Sequence, residues 1–241
     1  MSVSIYDELV ALAPAGVTAD EIVIGPFITA VRAGERVGLS TTLRPPRHEH
    51  KSQVTRPGEL AGRPLAEIAA LVASKLPLEA ALGMAAINAG LPRAGLRLEE
   101  LNGADLVREL AEGLNLVVVG HFSFIDQVAP VTQSTAILEL DPQQGDLPSS
   151  AADRAIPNAD VVVITGSAFA NHTIERLLEL AAGKTVVVLG PTTPLSPVLF
   201  RHGVRAAAGS DVFDPDLTLR QAREGAVFRQ LTGVRKVMLV K

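Results

Sequence analysis

The sequence predicts an α/β protein that carries a Rossmann-like parallel sheet, with helices on both faces, in its C-terminal half and a small α+β unit before it. From Leu114 onward, short apolar runs alternate with small-residue loops and helix-competent segments, which is the βαβα order of a parallel sheet. These runs lack polar alternation, as expected of strands covered on both faces. The first half shows two β-runs and then two helical segments, a ββαα order typical of an α+β unit. We therefore predict two domains, 1–105 and 106–241.

The N-terminal unit is predicted from its turn signals. Residues 1–13 fit an amphipathic helix and lack the basic and apolar regions of a signal peptide. A turn-forming Ala-Gly-Glu triplet separates two β-runs, so we expect a β-hairpin formed by 21–32 and 36–43. The polar, proline-rich stretch 44–57 cannot bury a face of its own and is expected to be a surface loop.

Two helices should complete this unit. Residues 64–75 and 77–89 each begin with a proline, which is favoured at the first position of a helix. Gly90 follows the second segment and is expected to end it.

The C-terminal unit is predicted from its apolar runs. Four strands are expected, at 114–119, 135–140, 160–164 and 185–189. An amphipathic segment between the third and fourth strands indicates a crossover helix. That helix is expected at 171–182, followed by a weaker strand at 204–208, a helix at 217–224 and an edge strand at 237–240.

The composition excludes several classes of protein. The 22 basic and 26 acidic residues are interspersed, so no basic patch is available to bind nucleic acid. The chain has no cysteine, which excludes disulfides, zinc fingers and iron–sulfur clusters. No apolar run approaches the roughly 20 residues that span a bilayer. We expect a cytoplasmic protein without a membrane or nucleic-acid partner; self-association as a homo-oligomer stays open.

The loops that end the strands are the candidate ligand site, because ligands of open α/β sheets bind at the carboxyl ends of the strands. Thr165, Gly166 and Ser167, with Asn171 close behind, offer two hydroxyls and an amide that could hold an anion. Alternatively, Ser167 or Asn171 only caps the next helix.

A second loop of this kind begins at Gly190, Pro191, Thr192 and Thr193, where prolines stiffen a row of hydroxyls. It is either a rigid recognition loop or a turn in which Thr193 caps the following helix.

The first strand lacks the glycine fingerprint of dinucleotide-binding proteins, because Phe122 and Phe124 stand where bare backbone would approach a pyrophosphate. Glu139 ends the second strand in the position of a ribose-binding acid. His121 ends the first strand and is either a ligand in the crevice or a half-buried packing residue.

Three further residues are candidates. His48 and His50 alternate in an extended segment and could begin a metal site, although the neighbouring cations favour a solvated loop. Asn88 is polar in an apolar helix and either caps the helix end, the interpretation we favour, or faces the partner domain.

Several motifs together resemble a known family. They are Leu-Gly-Met-Ala-Ala-Ile-Asn-Ala at 82–89, Ala-Asp at 159–160 leading to Thr-Gly at 165–166, Gly-Pro-Thr-Thr-Pro-Leu at 190–195 and Phe-Arg-His-Gly-Val at 200–204. Over nearly the whole chain the sequence resembles the putative heavy-metal chelation family of prokaryotic proteins. The resemblance implies a domain similar to the enolase N-terminal fold, a Rossmann-like domain and a site in the cleft between them. It draws attention to Thr41, Asn88, Glu139, Thr165, Gly166, Asn171, Gly190, Pro191 and Thr192, with Thr41 expected in the second N-terminal strand.

Three functions follow from these observations. The first is a binding protein or enzyme of metal-related metabolism whose ligand is an anionic or metal-chelating small molecule. Because soft ions prefer thiolates, a divalent or oxyanionic metal species in a complex fits this chain better than a bare soft ion. The alternatives are a nucleotide- or adenosyl-cofactor-dependent transferase and a non-catalytic scaffold, whose crevice should be filled by side chains.

Overall fold

A computed structural model describes residues 3–43, 53–100 and 102–241. The chain forms a small antiparallel sheet and a larger, mostly parallel sheet, with helices on both faces of the larger one. The predicted α/β class is therefore confirmed. Most of the predicted loop 44–57, with His48 and His50, lies outside the described residues.

The N-terminal part begins with helix α1 and continues as a three-stranded meander, ordered β1-β2-β3. The elements are α1 (Ile5–Val10), β1 (Glu21–Ile24), β2 (Ile28–Ala33), β3 (Arg36–Thr41), α2 (Leu65–Ala70) and α3 (Pro77–Gly90). Helix α3 begins with the predicted proline, but Gly90 is its last residue rather than the residue after it.

The predicted two-strand hairpin is wrong in one respect, because its first run is split into two strands. Pro26 has no backbone N–H and cannot continue a ladder, and the N–H of Gly25 turns back to the carbonyl oxygen of Ile28 at 3.0 Å. Thr41 consequently lies at the end of the third strand and not the second.

The C-terminal part supplies the remaining elements. They are α4 (Gly103–Ala111), β4 (Asn115–Val119), α5 (Ile125–Val128), β5 (Ser134–Glu139), β6 (Leu147–Pro148), α6 (Ala152–Ala155), β7 (Val161–Thr165), α7 (Ser167–Ala170), α8 (Ile174–Leu180), β8 (Thr185–Leu189), α9 (Val198–Arg201), β9 (Val204–Val212), α10 (Pro215–Arg223) and β10 (Val234–Val240). The four apolar runs and the closing edge strand are confirmed, whereas the short strand β6 was not predicted.

The predicted crossover helix is broken into α7 and α8. Asn171 interrupts it, because its side-chain oxygen accepts from the N–H of Thr173 at 3.2 Å and from the Thr173 hydroxyl at 2.7 Å. His172 beside it has a φ of 63°, in the left-handed region that a continuous helix does not use.

The order of the large sheet is β10-β9-β8-β7-β4-β5-β6 in the described part of the chain. The chain moves outward from β4 to β6 on one side, returns, and moves outward again from β7 on the other side. Only β10 runs antiparallel to its neighbour among these strands. Strands β4 and β7 are parallel neighbours, but the chain adds later strands outward from β4 on one side and outward from β7 on the other. The strand order therefore reverses between β4 and β7, and open α/β sheets bind ligands at such a point.

The side chains on the two faces of the sheet belong to two different apolar cores, because side chains alternate along a strand. Leu116 and Val118 of β4 pack with α4 and α5, whereas Val117 packs in a larger cluster with α7, α8 and the helices of the N-terminal part. The N-terminal part is thus joined to one face of the large sheet by a continuous apolar core. In the described part of the chain, no helix is long and apolar enough to cross a membrane.

Candidate functional site

A cavity of about 610 Å³ opens at the carboxyl ends of β4, β5 and β7, next to the reversal of strand order. Its wall comes mostly from the loops after these strands and from α6, α7 and α8, and Thr41 at the end of β3 adds a residue of the N-terminal part. The crevice is not filled by side chains, in contrast to the expectation for a scaffold.

Half of the predicted ligand residues line this cavity. They are Thr41, His121, Glu139, Thr165, Ser167 and Asn171. The other predicted residues do not line it, and the structure places them in the contact between the two parts of the chain or in the loops that form it. They are Asn88, Gly166, Gly190, Pro191, Thr192 and Thr193.

The hydroxyls after β7 form a short polar row on the cavity wall. Thr165 Oγ1 and Ser167 Oγ lie 3.1 Å apart, and the N–H of Ser167 points to Thr165 Oγ1 at 3.4 Å. Asn171 uses its oxygen to hold the turn before α8, but it is not the helix cap, because the N-cap residue is Thr173 and no side chain caps this helix. Its amide nitrogen has no hydrogen bond within the described ranges, so this donor is available to a ligand.

His121 and Glu139 lie on the adjacent wall. Strands β4 and β5 pair Val119 with Leu138, so the residues just after these positions are neighbours across the sheet edge. His121 is half-exposed, and its Nδ1 lies 3.7 Å from the carboxylate of Asp146, whose side chain is only 3% exposed. This distance is too long for a hydrogen bond, and the two groups form an ion pair only when the imidazole is protonated.

Sequence reasoning missed three titratable residues of the cavity: Asp153, His172 and Arg176. Arg176 is paired with Asp153 and, at 3.4 Å, with Glu179, and its hydrogen bond to Asp153 raises the pKa of this guanidinium. The sequence placed Arg176 on the polar face of a helix, and nothing local indicates that this face borders a cavity. The one feature of the sequence that could have indicated His172 is its position directly after Asn171 in the same loop.

The loop after β8 holds the two parts of the chain together. Thr192 is fully buried, and its hydroxyl oxygen accepts from the N–H of Thr41 at 2.8 Å. Asn88 donates from Nδ2 to the carbonyl oxygens of Leu39 at 2.8 Å and Thr192 at 3.1 Å. The favoured interpretation of Asn88 as a helix cap is therefore wrong, and the alternative, that it faces the partner domain, describes its contacts.

This contact, which we call the seam, is tightly closed. Beside it, the loops after β7 and β8 pack against each other, since a Cβ on Gly166 would lie 2.6 Å from Thr193 Oγ1 and 2.7 Å from the Thr193 backbone nitrogen. The hydroxyl of Thr193 and the Oδ1 of Asn88 are buried without a hydrogen-bond partner beside a cavity of only about 10 Å³. That volume is about the size of one water and not of a metabolite.

The donors of the main cavity are oxygen and nitrogen atoms. No group of three or more His, Cys, Asp or Glu side chains in the described ranges could hold a metal ion. A bare soft ion consequently does not fit the residues described, whereas a metal that brings its own chelating ligand needs fewer donors from the protein.

Two family models match the chain, and both are described as putative heavy-metal chelation. The DUF4213 model matches residues 6–91, and the DUF364 model matches residues 102–241. No curated protein is significantly similar to the chain in sequence.

Two solved structures are similar over almost the entire chain. A protein of unknown function from the DUF364 family of Desulfitobacterium hafniense is 31% identical, with a TM-score of 0.88 and coverage of 98% of both chains. A DUF364 protein of unknown function from Pyrococcus horikoshii is 18% identical, with a TM-score of 0.81 and coverage of 98% of both chains. Because the Pyrococcus horikoshii protein is only 18% identical, its similarity supports the fold alone.

Proposed function

The chain belongs to the putative heavy-metal chelation family, and from this premise we propose that it binds an anionic small molecule, alone or as its metal chelate, in the cavity at the end of β4, β5 and β7. The family description suggests metal-related binding. The observation that carries the finer proposal is a cavity of about 610 Å³ whose polar lining consists of hydroxyl, amide, imidazole, carboxylate and guanidinium groups.

Each wall suits a different part of such a ligand. The hydroxyls of Thr165 and Ser167 and the free amide of Asn171 can donate to the oxygens of an anion. His121 and Glu139, on the opposite side of the reversal, offer an imidazole and a carboxylate to a divalent ion that the anion already chelates. An oxyanionic metal species would bind only to the hydroxyls of Thr165 and Ser167 and the amide of Asn171. Whether binding leads to a reaction is left open by this proposal.

Calorimetric titration tests the proposal with four probes: citrate, Ni²⁺, preformed nickel citrate and molybdate. We expect citrate, its nickel complex or molybdate to bind at micromolar concentration, and Ni²⁺ alone to bind more weakly than nickel citrate. Thr165→Val removes a donor without changing volume, and Asn171→Asp keeps the oxygen that holds the turn while replacing the amide. Each should weaken binding about tenfold, the value of one hydrogen bond to a charged group.

Thr232→Val is the matched control, because Thr232 is exposed and its hydroxyl oxygen interacts with Gln221 on the surface. It should bind as the wild type does. The proposal is lost when none of citrate, nickel citrate and molybdate binds, or when Thr165→Val and Asn171→Asp bind as tightly as this control.

A nucleotide- or adenosyl-cofactor-dependent transferase remains the alternative. The parallel strands follow the order of dinucleotide-binding sheets, which favours it. However, Phe122 and Phe124 stack on each other at 5.2 Å in the loop after β4, where a pyrophosphate would need bare backbone. Stabilisation against heat by adenosylmethionine, NAD or ATP, without binding of the four probes above, would favour the transferase.

A further inference from the structure

A second cavity, of about 250 Å³, lies at the turn between β2 and β3, where this turn meets the end of β9. Its wall contains Glu35, Arg36, Arg93 and Asp211, and it shares no lining residue with the main cavity. It is therefore a separate site, and binding there does not depend on the proposed function.

Asp211, the more buried of the two carboxylates in this second cavity, is already paired with two arginines. Arg93 pairs with one oxygen of Asp211, and Arg235 contacts the other at 2.7 Å. Arg93 also donates to the carbonyl oxygen of Ser210 at 3.3 Å. Within the described residues, Asp211 makes no hydrogen bond to a third guanidinium.

Arg36 is the third guanidinium, and it has no ion pair among the described residues. Its Nη2 is enclosed by protein and has no hydrogen-bond partner in the described part of the chain. Burial lowers the pKa of Arg36, and the charge of Arg93 lowers it further, while Asp211 only partly opposes this. Nη2 lies too deep for a ligand to reach, but Arg36 also borders the cavity. A guanidinium there without an ion pair favours a molecule that supplies an acceptor to its other nitrogens.

We propose that this second cavity binds a small oxyanion of the phosphate type, with Arg36 as its main ligand and Arg93 as the second. A guanidinium donates charge-assisted hydrogen bonds to such an anion. Glu35 is exposed at the edge of the cavity and adds a negative charge. This charge favours a compact anion over a polyphosphate chain, which would have to pass the Glu35 carboxylate.

Inorganic phosphate is the probe, with sodium chloride at equal ionic strength as its reference. The full-length wild type should bind phosphate saturably in calorimetry and gain thermal stability that chloride does not provide. Arg36→Met should weaken phosphate binding by about tenfold or more. Arg108→Met is the matched control, because it removes an exposed arginine of α4 and should bind as the wild type does.

Folding of the variants is checked by circular dichroism without phosphate. Arg36→Met should be no less stable than the wild type there, since it removes an enclosed and unpaired charge. If it does not fold, Arg36→Gln serves instead, with the same expected loss of binding. Equal effects of phosphate and chloride on the wild type would overturn the proposal, as would an Arg36 variant with the affinity of Arg108→Met.

Discussion

Gly38 lets strand β3 and helix α3 touch backbone to backbone. A Cβ at this position would lie 2.1 Å from both the carbonyl oxygen of Ala85 and the nitrogen of Ala89. Neither atom can move without shifting the helix. Gly38→Ala should therefore lower the free energy of unfolding by more than about 3 kcal/mol, the upper part of the range for overpacked cores.

Chemical denaturation measures this effect, and Gly62→Ala is its control. Gly62 has a φ of +83°, and a Cβ added there would meet no atom within 4 Å, so alanine causes conformational strain alone, about 1–2 kcal/mol. Equal destabilisation by the two substitutions would contradict the close contact at Gly38.

Glu79 is a buried carboxylate, 5% exposed, in the first turn of α3. Burial raises the pKa of Glu79, but hydrogen bonds from the Ser74 hydroxyl at 2.6 Å and the Thr55 N–H at 2.7 Å outweigh burial and lower it. The ionised carboxylate thus stabilises the fold above its ordinary pKa of 4.5, and this contribution is lost as the pH falls through the lowered folded value.

Glu79→Gln tests this pH dependence. The variant should lose about 1–3 kcal/mol at neutral pH, because a charged acceptor of two hydrogen bonds is removed. The difference in the free energy of unfolding between the variant and the wild type should shrink at acidic pH. Urea denaturation at neutral and at acidic pH measures this difference. Glu109→Gln, on the exposed face of α4, should change stability little at either pH. If the stability difference between Glu79→Gln and the wild type did not change with pH, the lowered pKa of Glu79 would be contradicted.

At the scale of elements, the loop after β8 joins the two parts of the chain through Thr192. Thr192→Val keeps the volume but leaves the N–H of Thr41 without its acceptor. We expect a loss of about 1–3 kcal/mol and faster hydrogen exchange of the Thr41 amide. Thr232→Val, at an exposed position, should change stability by less than about 0.5 kcal/mol. Unchanged exchange at Thr41 would show that the hydroxyl is not its partner.

Local signals were reliable for most elements and failed where a side chain interrupts an otherwise regular pattern. The strands β4, β7 and β8 follow from apolar runs, because burial on both faces leaves no polar position to mask the pattern. Strand β5 shows a similar run, although Leu138 is its only buried residue. At the break between α7 and α8, the side-chain oxygen of Asn171 accepts two hydrogen bonds from Thr173, and hydrophobic periodicity does not register such contacts. The two-residue strand β6 is too short to produce a pattern.

At the scale of the molecule, one apolar core crosses the predicted boundary between 1–105 and 106–241. The cluster includes Leu65 and Met84 from the first part and Val162 and Phe169 from the second. The boundary itself stays a prediction of the sequence. Because the two parts share this core, we expect a single unfolding transition with equal calorimetric and van't Hoff enthalpies.

Scanning calorimetry and circular dichroism measure that transition. The separate segment 106–241 should be less stable than the full chain, since it would expose the face that packs against α2 and α3. Two resolved transitions, or a segment as stable as the whole chain, would contradict a shared core.

The sequence by itself determined the fold class, the parallel strands and the loops that end them, since each depends on a local pattern of burial. It thereby identified Thr165, Ser167 and Asn171, which line the main cavity. Only the tertiary structure decided that the loop from Gly190 to Thr193 closes the seam, and that Arg176 borders the cavity. The physical reason is that strand order and the docking of the N-terminal part bring distant residues together, and no local pattern encodes which loop is covered and which stays open.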